Sequence, residues 1–134
     1  MTVQYKIIEN KKIVYVLGTD VITFSDLMDH TDDLSHDKNY KAPMRKLVDY
    51  RNIKKFDLSI KEAEIFANKK ASLTDVFSRE TCAIVAPRDM EYGMARVHFA
   101  LTSDSTITTE VFRKFKEALV WLNIELDDDE LIIV

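Results

Sequence analysis

Residues 81–86 read Thr-Cys-Ala-Ile-Val-Ala and are followed at once by Pro87. A short, nearly continuous apolar run of this kind is typical of a β-strand that is covered on both faces, and proline ends it. We therefore predict that this run is the central strand of a sheet with other layers packed against it.

The rest of the chain alternates between strand and helix patterns. A polar turn at residues 9–12 separates two apolar runs, which predicts a β-hairpin that ends at Gly18. Thr23, with Asp26 three residues later, resembles a capping box, and apolar residues recur after it at helical spacing. The predicted strands are residues 3–8, 13–17, 44–50, 81–86 and 106–112, and the predicted helices are residues 24–36, the segment that Ser59 caps, 89–101 and 114–123.

This ββαβαβαβα order predicts a single α/β domain. Strands that alternate with helices are joined by right-handed crossovers, so we expect a parallel or mixed sheet with the opening hairpin at one edge. A chain of 134 residues can bury one hydrophobic core without help from disulfides or metals. We assign residues 1–126 to this domain.

Residues 127–134 form a C-terminal tail of unusual composition. Four acidic residues precede the wholly apolar residues 131–134, which is typical of a strand with charged residues that guard against aggregation. The tail could pair with the domain's own sheet edge, pair with the edge of another protomer, or remain frayed.

Composition and motifs exclude several classes of function. The net charge is −4, which disfavours a nucleic-acid partner. Gly18 and Gly93 are the only glycines, so neither a P-loop nor a dinucleotide-binding fingerprint is present, and no serine lies in a nucleophile elbow. Cys82 is the only cysteine, and we interpret it as a buried apolar residue. Without a signal peptide or membrane span, the expected location is the cytoplasm.

Acidic residues alternate with two histidines on the first predicted helix. Asp26 and His30 lie four residues apart, as do Asp32 and His36, and this spacing can bring two ligands together. A structural metal site needs about four converging ligands, so we interpret these side chains as the solvated face of the helix and assign no metal. His98, on the third helix, has no nucleophile beside it and is interpreted as a packing or interface residue.

The third helix is apolar on more than one side. Met90, Met94, Val97 and Leu101 make one stripe, and Tyr92, Ala95 and Phe99 make the other. Either a neighbouring helix or the chain's own tail covers the second stripe, or the stripe binds a partner. Tyr92, Arg96 and Phe99 are the types of residue that anchor interfaces, so this helix is the predicted surface for self-association into a dimer.

The pattern as a whole resembles a known family. The features that carry the resemblance are Gly18 at the end of the hairpin, residues 47–51, residues 83–86, residues 92–96, residues 111–113, Ala118, Trp121 and Leu122. Their order, over almost the full chain, resembles small bacterial STAS-like proteins related to the sporulation anti-sigma-factor antagonist SpoIIAA, a fold also compared with lipid-binding CRAL-TRIO domains. The resemblance implies a sheet of four or five strands with helices mainly on one face.

The best-known members of that group bind other proteins and are switched by phosphorylation of a serine. Their Asp-Ser-Ser-Gly-Leu-like turn corresponds here to residues 57–60, which read Asp-Leu-Ser-Ile and contain no glycine. Ser59 lies near the expected place, and a phosphate there would be favoured by the helix dipole. We favour the interpretation of this serine as an ordinary helix cap, because serine is among the preferred capping residues.

Two functions follow from these patterns. The first is a non-catalytic, STAS-like protein-interaction module that associates with itself and with a protein partner of unknown identity. The alternative is a carrier of a small apolar ligand or lipid, with Phe66, Met90, Met94 and Phe115 lining its cavity. No motif supports an enzyme, and we assign neither catalytic residues nor a cofactor.

Overall fold

The computed structural model describes residues 2–102 and 106–133, without the side chains of Phe99 and Thr102. The strands are β1 (Val3–Ile8), β2 (Ile13–Thr23), β3 (Arg45–Asp57), β4 (Thr81–Val85) and β5 (Thr108–Phe112). The helices are α1 (Phe24–Ser35), α2 (Ile60–Ser72), α3 (Asp89–Thr102) and α4 (Phe115–Leu122). Short 3-10 turns lie at Glu9–Lys11 and Asp128–Leu131.

The strands form one mixed sheet in the order β1-β2-β3-β4-β5. β1 is antiparallel to β2, and the remaining pairs are parallel, which confirms the edge hairpin and the α/β class. The strand that we predicted at the centre, β4, lies one place away from it. Because both hairpin strands, β1 and β2, lie beyond β3 and only β5 lies beyond β4, β3 is the central strand of the five that the structure describes.

The strands β2 and β3 are longer than the sequence predicts. We expected β2 to end at Gly18 and β3 to end before Arg51, but they pair in parallel as far as Thr23 and Asp57. Register shifts after Leu17 and after Asp20 mark two irregularities in this pairing. Such irregularities let polar residues and a glycine remain within a strand that continues beyond them.

Gly18 is needed because the ring of Tyr50 packs against its backbone. A Cβ at this position would lie 2.6 Å from Tyr50 Cδ1 and 2.7 Å from Ile22 Cδ1. We expect Gly18→Ala to lower the free energy of unfolding by roughly 1–3 kcal/mol, as measured by urea denaturation.

Gly93, on α3, provides the matched control. Among the described residues, no atom outside the neighbouring backbone of α3 lies within 4 Å of a Cβ built at this position, and alanine is the better helix former. Gly93→Ala should therefore stabilise the protein by about 0.5–1 kcal/mol. Equal effects of the two substitutions would contradict the close approach of Tyr50 to Gly18.

In the described part of the chain, three helices cover one face of the sheet, and one helix covers the other. Each parallel crossover moves one strand further in the same direction, and crossovers of the same hand place α1, α2 and α3 on the same face. α4 follows the last strand and packs on the other face. β4 is buried between these layers, since Cys82 and Ile84 belong to the core under the three helices and Ala83 and Val85 to the core under α4.

The C-terminal tail does not form the predicted strand. It makes the 3-10 turn Asp128–Leu131, and the side chains of Leu131 and Ile133 pack against the core under α4. Lys11 Nζ lies 2.7 Å from Glu130 Oε1, and Lys6 Nζ donates to the Ile132 carbonyl at 3.0 Å. The tail is thus held by side-chain packing and charge rather than by a strand ladder.

Candidate functional site

A cavity of about 70 Å³ lies between the sheet and the layer of α1, α2 and α3. Most of its wall is apolar and comes from the core of that face, including Leu27, Val48, Phe66 and Ile84, and Met94 lines it as well. The volume corresponds to about five to seven water-sized positions. A molecule with few non-hydrogen atoms therefore fits within it.

Polar side chains from five elements also reach the cavity wall. They are His30 and Thr31 of α1, Lys46 and Tyr50 of β3, Lys70 of α2, Cys82 of β4 and His98 of α3. Lys46 reaches this face because alternate residues of a strand point the same way, and Val48 and Tyr50 follow it at intervals of two. Lys70 lies on the apolar stripe of α2, seven residues after Ala63.

A buried cluster of charges lies beside the cavity. Glu80 is 0% exposed, Lys46 is 3% exposed and Lys70 is 5% exposed. Lys70 Nζ donates to Glu80 Oε1 at 2.6 Å, and the Tyr40 hydroxyl donates to Oε2 at 2.5 Å. Both lysine ammonium groups lie 5.0 Å from the centre of the Phe77 ring, which adds a cation–π contact to each.

The two lysines differ in how they are paired. Lys46 Nζ lies 3.5 Å from Glu80 Oε2, which is longer than a strong hydrogen bond. Burial lowers the pKa of Lys46 to about 8, because the attraction of Glu80 does not outweigh it. Burial also acts on Lys70, but Glu80 outweighs it there and raises the pKa above its usual value. Lys46 is therefore the less well compensated cation.

Glu80 is the anion of this cluster. Burial acts to raise its pKa, but the charges of Lys46 and Lys70 outweigh that effect and lower the pKa to about 2. The carboxylate is consequently ionised at neutral pH. With both lysines protonated, the cluster carries two positive charges and one negative charge.

Two histidines beside these cations are held neutral. Burial, followed by the positive charges of Lys46 and Lys70, lowers the pKa of His30 to about 3. Burial also lowers the pKa of His98 to about 3, and the His98 ring stacks on Phe66 with 5.2 Å between ring centres. The buried Nδ1 atom of His30 has no hydrogen-bond partner among the described residues. A neutral imidazole there can donate or accept one hydrogen bond, depending on its tautomer.

Comparison with known proteins identifies the fold. A crystal structure of an uncharacterized protein of the DUF3478 family from Shewanella loihica PV-4, described as having a SpoIIAA-like fold, superposes with a TM-score of 0.57. The two sequences are 18% identical, and the match covers 90% of this chain and 91% of the other. The fold is SpoIIAA-like. No family model matches the chain, and no curated protein matches it at a significant level.

The SpoIIAA-like fold separates the residues that we predicted to line a cavity. Phe66 and Met94 lie in the cavity wall. Met90 is 71% exposed and Phe115 packs against the core under α4, so neither of them lines it. The periodicity of each helix is local, and it does not reveal that α4 crosses to the opposite face of the sheet.

The predicted interface residues on α3 have different surroundings. Tyr92 packs against the core, and the Arg113 guanidinium lies 4.3 Å from its ring centre. Arg96 is exposed and lies 3.9 Å from Glu110. The side chain of Phe99 lies outside the described residues. The chain itself thus covers part of the predicted second stripe.

Ser59 is the N-cap of α2. Its hydroxyl accepts a hydrogen bond from the Glu62 amide at 3.1 Å, and Glu62 Oε1 accepts from the Ser59 amide at 2.9 Å. The side chain is exposed. This geometry accounts for Ser59 as a helix cap.

The structure corrects the predicted position of His30, and it also bears on metal-ligand clusters and on membrane-spanning helices. His30, which we placed on the solvated face of α1, instead faces the cavity, because it follows Leu27 by three residues on the apolar stripe. Among the described residues, no three His, Cys, Asp or Glu side chains converge as metal ligands. Within residues 2–102 and 106–133, no helix has the length and apolar character needed to cross a bilayer.

Sequence reasoning missed Lys46, Lys70 and Glu80. The signal was present for the lysines, since each occupies a position where the strand or helix period requires a buried residue. A lysine at such a position needs a buried anion. Glu80, directly before β4, is that anion.

Proposed function

We propose that this domain binds a small molecule with an apolar body in the cavity beneath α1, α2 and α3. The observation that carries the proposal is the combination of apolar walls with inward-facing polar side chains, which is the usual composition of a small-molecule site. The buried Nδ1 atom of His30 supports it, because this atom has no hydrogen-bond partner within the described part of the chain and a ligand would supply one. The volume favours a short ligand over a long lipid chain.

Two matched probes test this function. Butyramide and butyrate have nearly the same shape, and we expect at least one of them to shift the amide resonances of residues around Phe66 and Met94 in a saturable titration. Shifts spread over the surface, or none with either probe, would contradict the proposed function.

Filling the cavity should abolish that binding. Ala63 is buried in the cavity wall, and Ala63→Leu places three additional carbon atoms there. We expect saturable binding to be lost while the free energy of unfolding changes by only about 1 kcal/mol, because the new side chain occupies empty space. The measurement is the same resonance titration, with urea denaturation for stability.

Asn68→Leu is the control for this substitution. Asn68 is exposed on the same helix, so the variant adds the same side chain away from the cavity. Its affinity for the probe should equal that of the unmodified protein. Retained binding in Ala63→Leu would place the probe elsewhere.

Self-association through α3 is a second candidate function. Met90 is 71% exposed and Leu101 is 38% exposed on this helix, which supports an apolar contact surface. Light scattering over a range of protein concentrations distinguishes the candidates, since a monomer that still binds the probe supports the cavity alone.

A further inference from the structure

We propose that the ligand of this cavity is a small carboxylate, whose negative charge is neutralised by Lys46 with Lys70 beside it. The inference rests on the proposed function and adds the chemical class of the ligand and the residues that recognise it. It follows from the balance of charge around the cavity and from the position of Glu80.

The buried charges beside the cavity are unbalanced. Lys46 and Lys70 are both buried, and Glu80 is the carboxylate that contacts them. A buried charge is costly unless it is paired and hydrogen-bonded. One additional negative charge would balance the two lysines, so the site favours a monoanion.

The ammonium group of Lys46 is incompletely paired with Glu80. Glu80 Oε1 accepts from Lys70, and Oε2 accepts from the Tyr40 hydroxyl, so both oxygens of the carboxylate already have close donors. Lys46 Nζ remains at 3.5 Å from Oε2. An ammonium group has three N–H donors. Lys46 therefore has donors left for a second acceptor.

The cavity lies on the side of the two lysines and not on the side of Glu80. Both lysines line the cavity, whereas Glu80 does not. A ligand in the cavity would contact Lys46 and Lys70 directly, whereas these two lysines would separate it from Glu80. The apolar walls then select a molecule whose remaining atoms are hydrocarbon rather than a fully hydrated inorganic oxyanion.

His30 completes the recognition of the carboxylate. Its Nδ1 atom is buried, lacks a partner among the described residues and belongs to a side chain in the cavity wall. In the tautomer protonated at Nδ1, this nitrogen donates a hydrogen bond to a ligand oxygen. A carboxylate has two oxygens and can accept from Lys46 and His30 together.

The test compares butyrate with butyramide on the intact protein. Butyrate should bind at least about tenfold more tightly than butyramide, because the Lys46 ammonium meets an ionised acceptor in butyrate and only a neutral carbonyl in butyramide. Lys46→Met should weaken butyrate binding by about tenfold or more and weaken butyramide binding much less, because the amide carbonyl carries no net charge. Isothermal titration calorimetry measures both affinities.

Lys69→Met is the matched control. Lys69 lies on the same helix as Lys70 and pairs with Asp32 at the surface, so its removal changes the net charge equally. Butyrate affinity should be unaffected. An equal loss in both lysine variants would overturn the role of Lys46, because it would reflect only the overall charge.

The pH dependence of the unmodified protein provides a second measurement that does not depend on any variant. Butyrate affinity should fall as the pH rises through 8, where Lys46 loses its proton, and butyramide affinity should fall much less. The ionisable groups around Lys46 are Glu80, Lys70, Cys82, His30, His98 and Tyr40. Of these, Glu80 and both histidines titrate well below pH 8, and the pKa values of Tyr40, Cys82 and Lys70 are raised.

The possible results separate the two proposals. If butyramide binds as tightly as butyrate and neither pH nor Lys46→Met changes this, the carboxylate inference is wrong and the proposed cavity function stands. If neither probe binds, the proposed function fails as well. Tighter binding of butyrate that weakens above pH 8 supports both.

Discussion

Glu80→Gln should lower the free energy of unfolding by about 3–5 kcal/mol, because it leaves two buried lysines without a carboxylate. The substitution keeps the size of the side chain, so the loss reports charge rather than packing. Lys70 would lose the partner 2.6 Å away, and Lys46 would lose its only nearby carboxylate among the described residues. Urea denaturation at neutral pH, followed by circular dichroism, measures the change.

Two substitutions make this prediction specific to the cluster. Glu117→Gln makes the same chemical change at an exposed position of α4 and should alter stability by no more than about 0.5 kcal/mol. Lys46→Met removes the less well paired cation and leaves Lys70 and Glu80 balanced, so it should change stability by only about 1 kcal/mol. Equal effects of the two glutamine variants would show that Glu80 is not the partner of buried charges.

Stability should also fall steeply as the pH is lowered from 7 to 5, because His30 and His98, whose Nδ1 atoms are buried, stay neutral in the folded protein. The pKa of each histidine is lowered from 6.5 to about 3 in the folded protein, chiefly by burial. Below pH 6.5 the unfolded chain binds protons that the folded chain does not, so the free energy of unfolding decreases as the pH falls. The expected loss at pH 5 is roughly 1–2 kcal/mol for each histidine.

The variant with His30→Phe and His98→Phe should lose most of this pH dependence. Phenylalanine keeps a ring that can pack against Tyr5 and Phe66, as the histidines do. His36→Gln is the control, since His36 lies at the exposed C-terminal end of α1 and its removal should leave the slope unchanged. The range from pH 7 to 5 isolates the histidines, because Glu80 keeps its charge down to about pH 2. A flat profile in the unmodified protein would contradict the burial of neutral histidines.

Local patterns in the sequence predicted most of the elements correctly. Thr23 and Ser59 both form capping boxes, and the helices that follow begin within one residue of the expected position. These features depend on hydrogen bonds between residues three apart, so a short stretch of sequence contains all the information they require. The edge hairpin, the strand β4 and the alternation of strands with helices have the same local origin.

The incorrect predictions for the end of β2 and for the C-terminal tail have a cause that is not local. Gly18 was interpreted as the end of a strand, although it remains within β2, which pairs with β3 as far as Thr23, and the distant Tyr50 ring packs against it. Residues 131–134 were interpreted as part of a strand, although the tail docks on the core under α4. In each case a contact with residues far away in the sequence overrides the local preference.

The sequence alone determined the class of the fold, because periodicity, caps and turns act over a few residues and together specify the order ββαβαβαβα. The tertiary structure decided where the cavity lies and which charges surround it. Lys46 comes from β3, Lys70 from α2 and Glu80 from the residue before β4, and only the packing of α2 over the sheet brings them together. Buried charges must find partners wherever the fold places them, and no local pattern states which residues those will be.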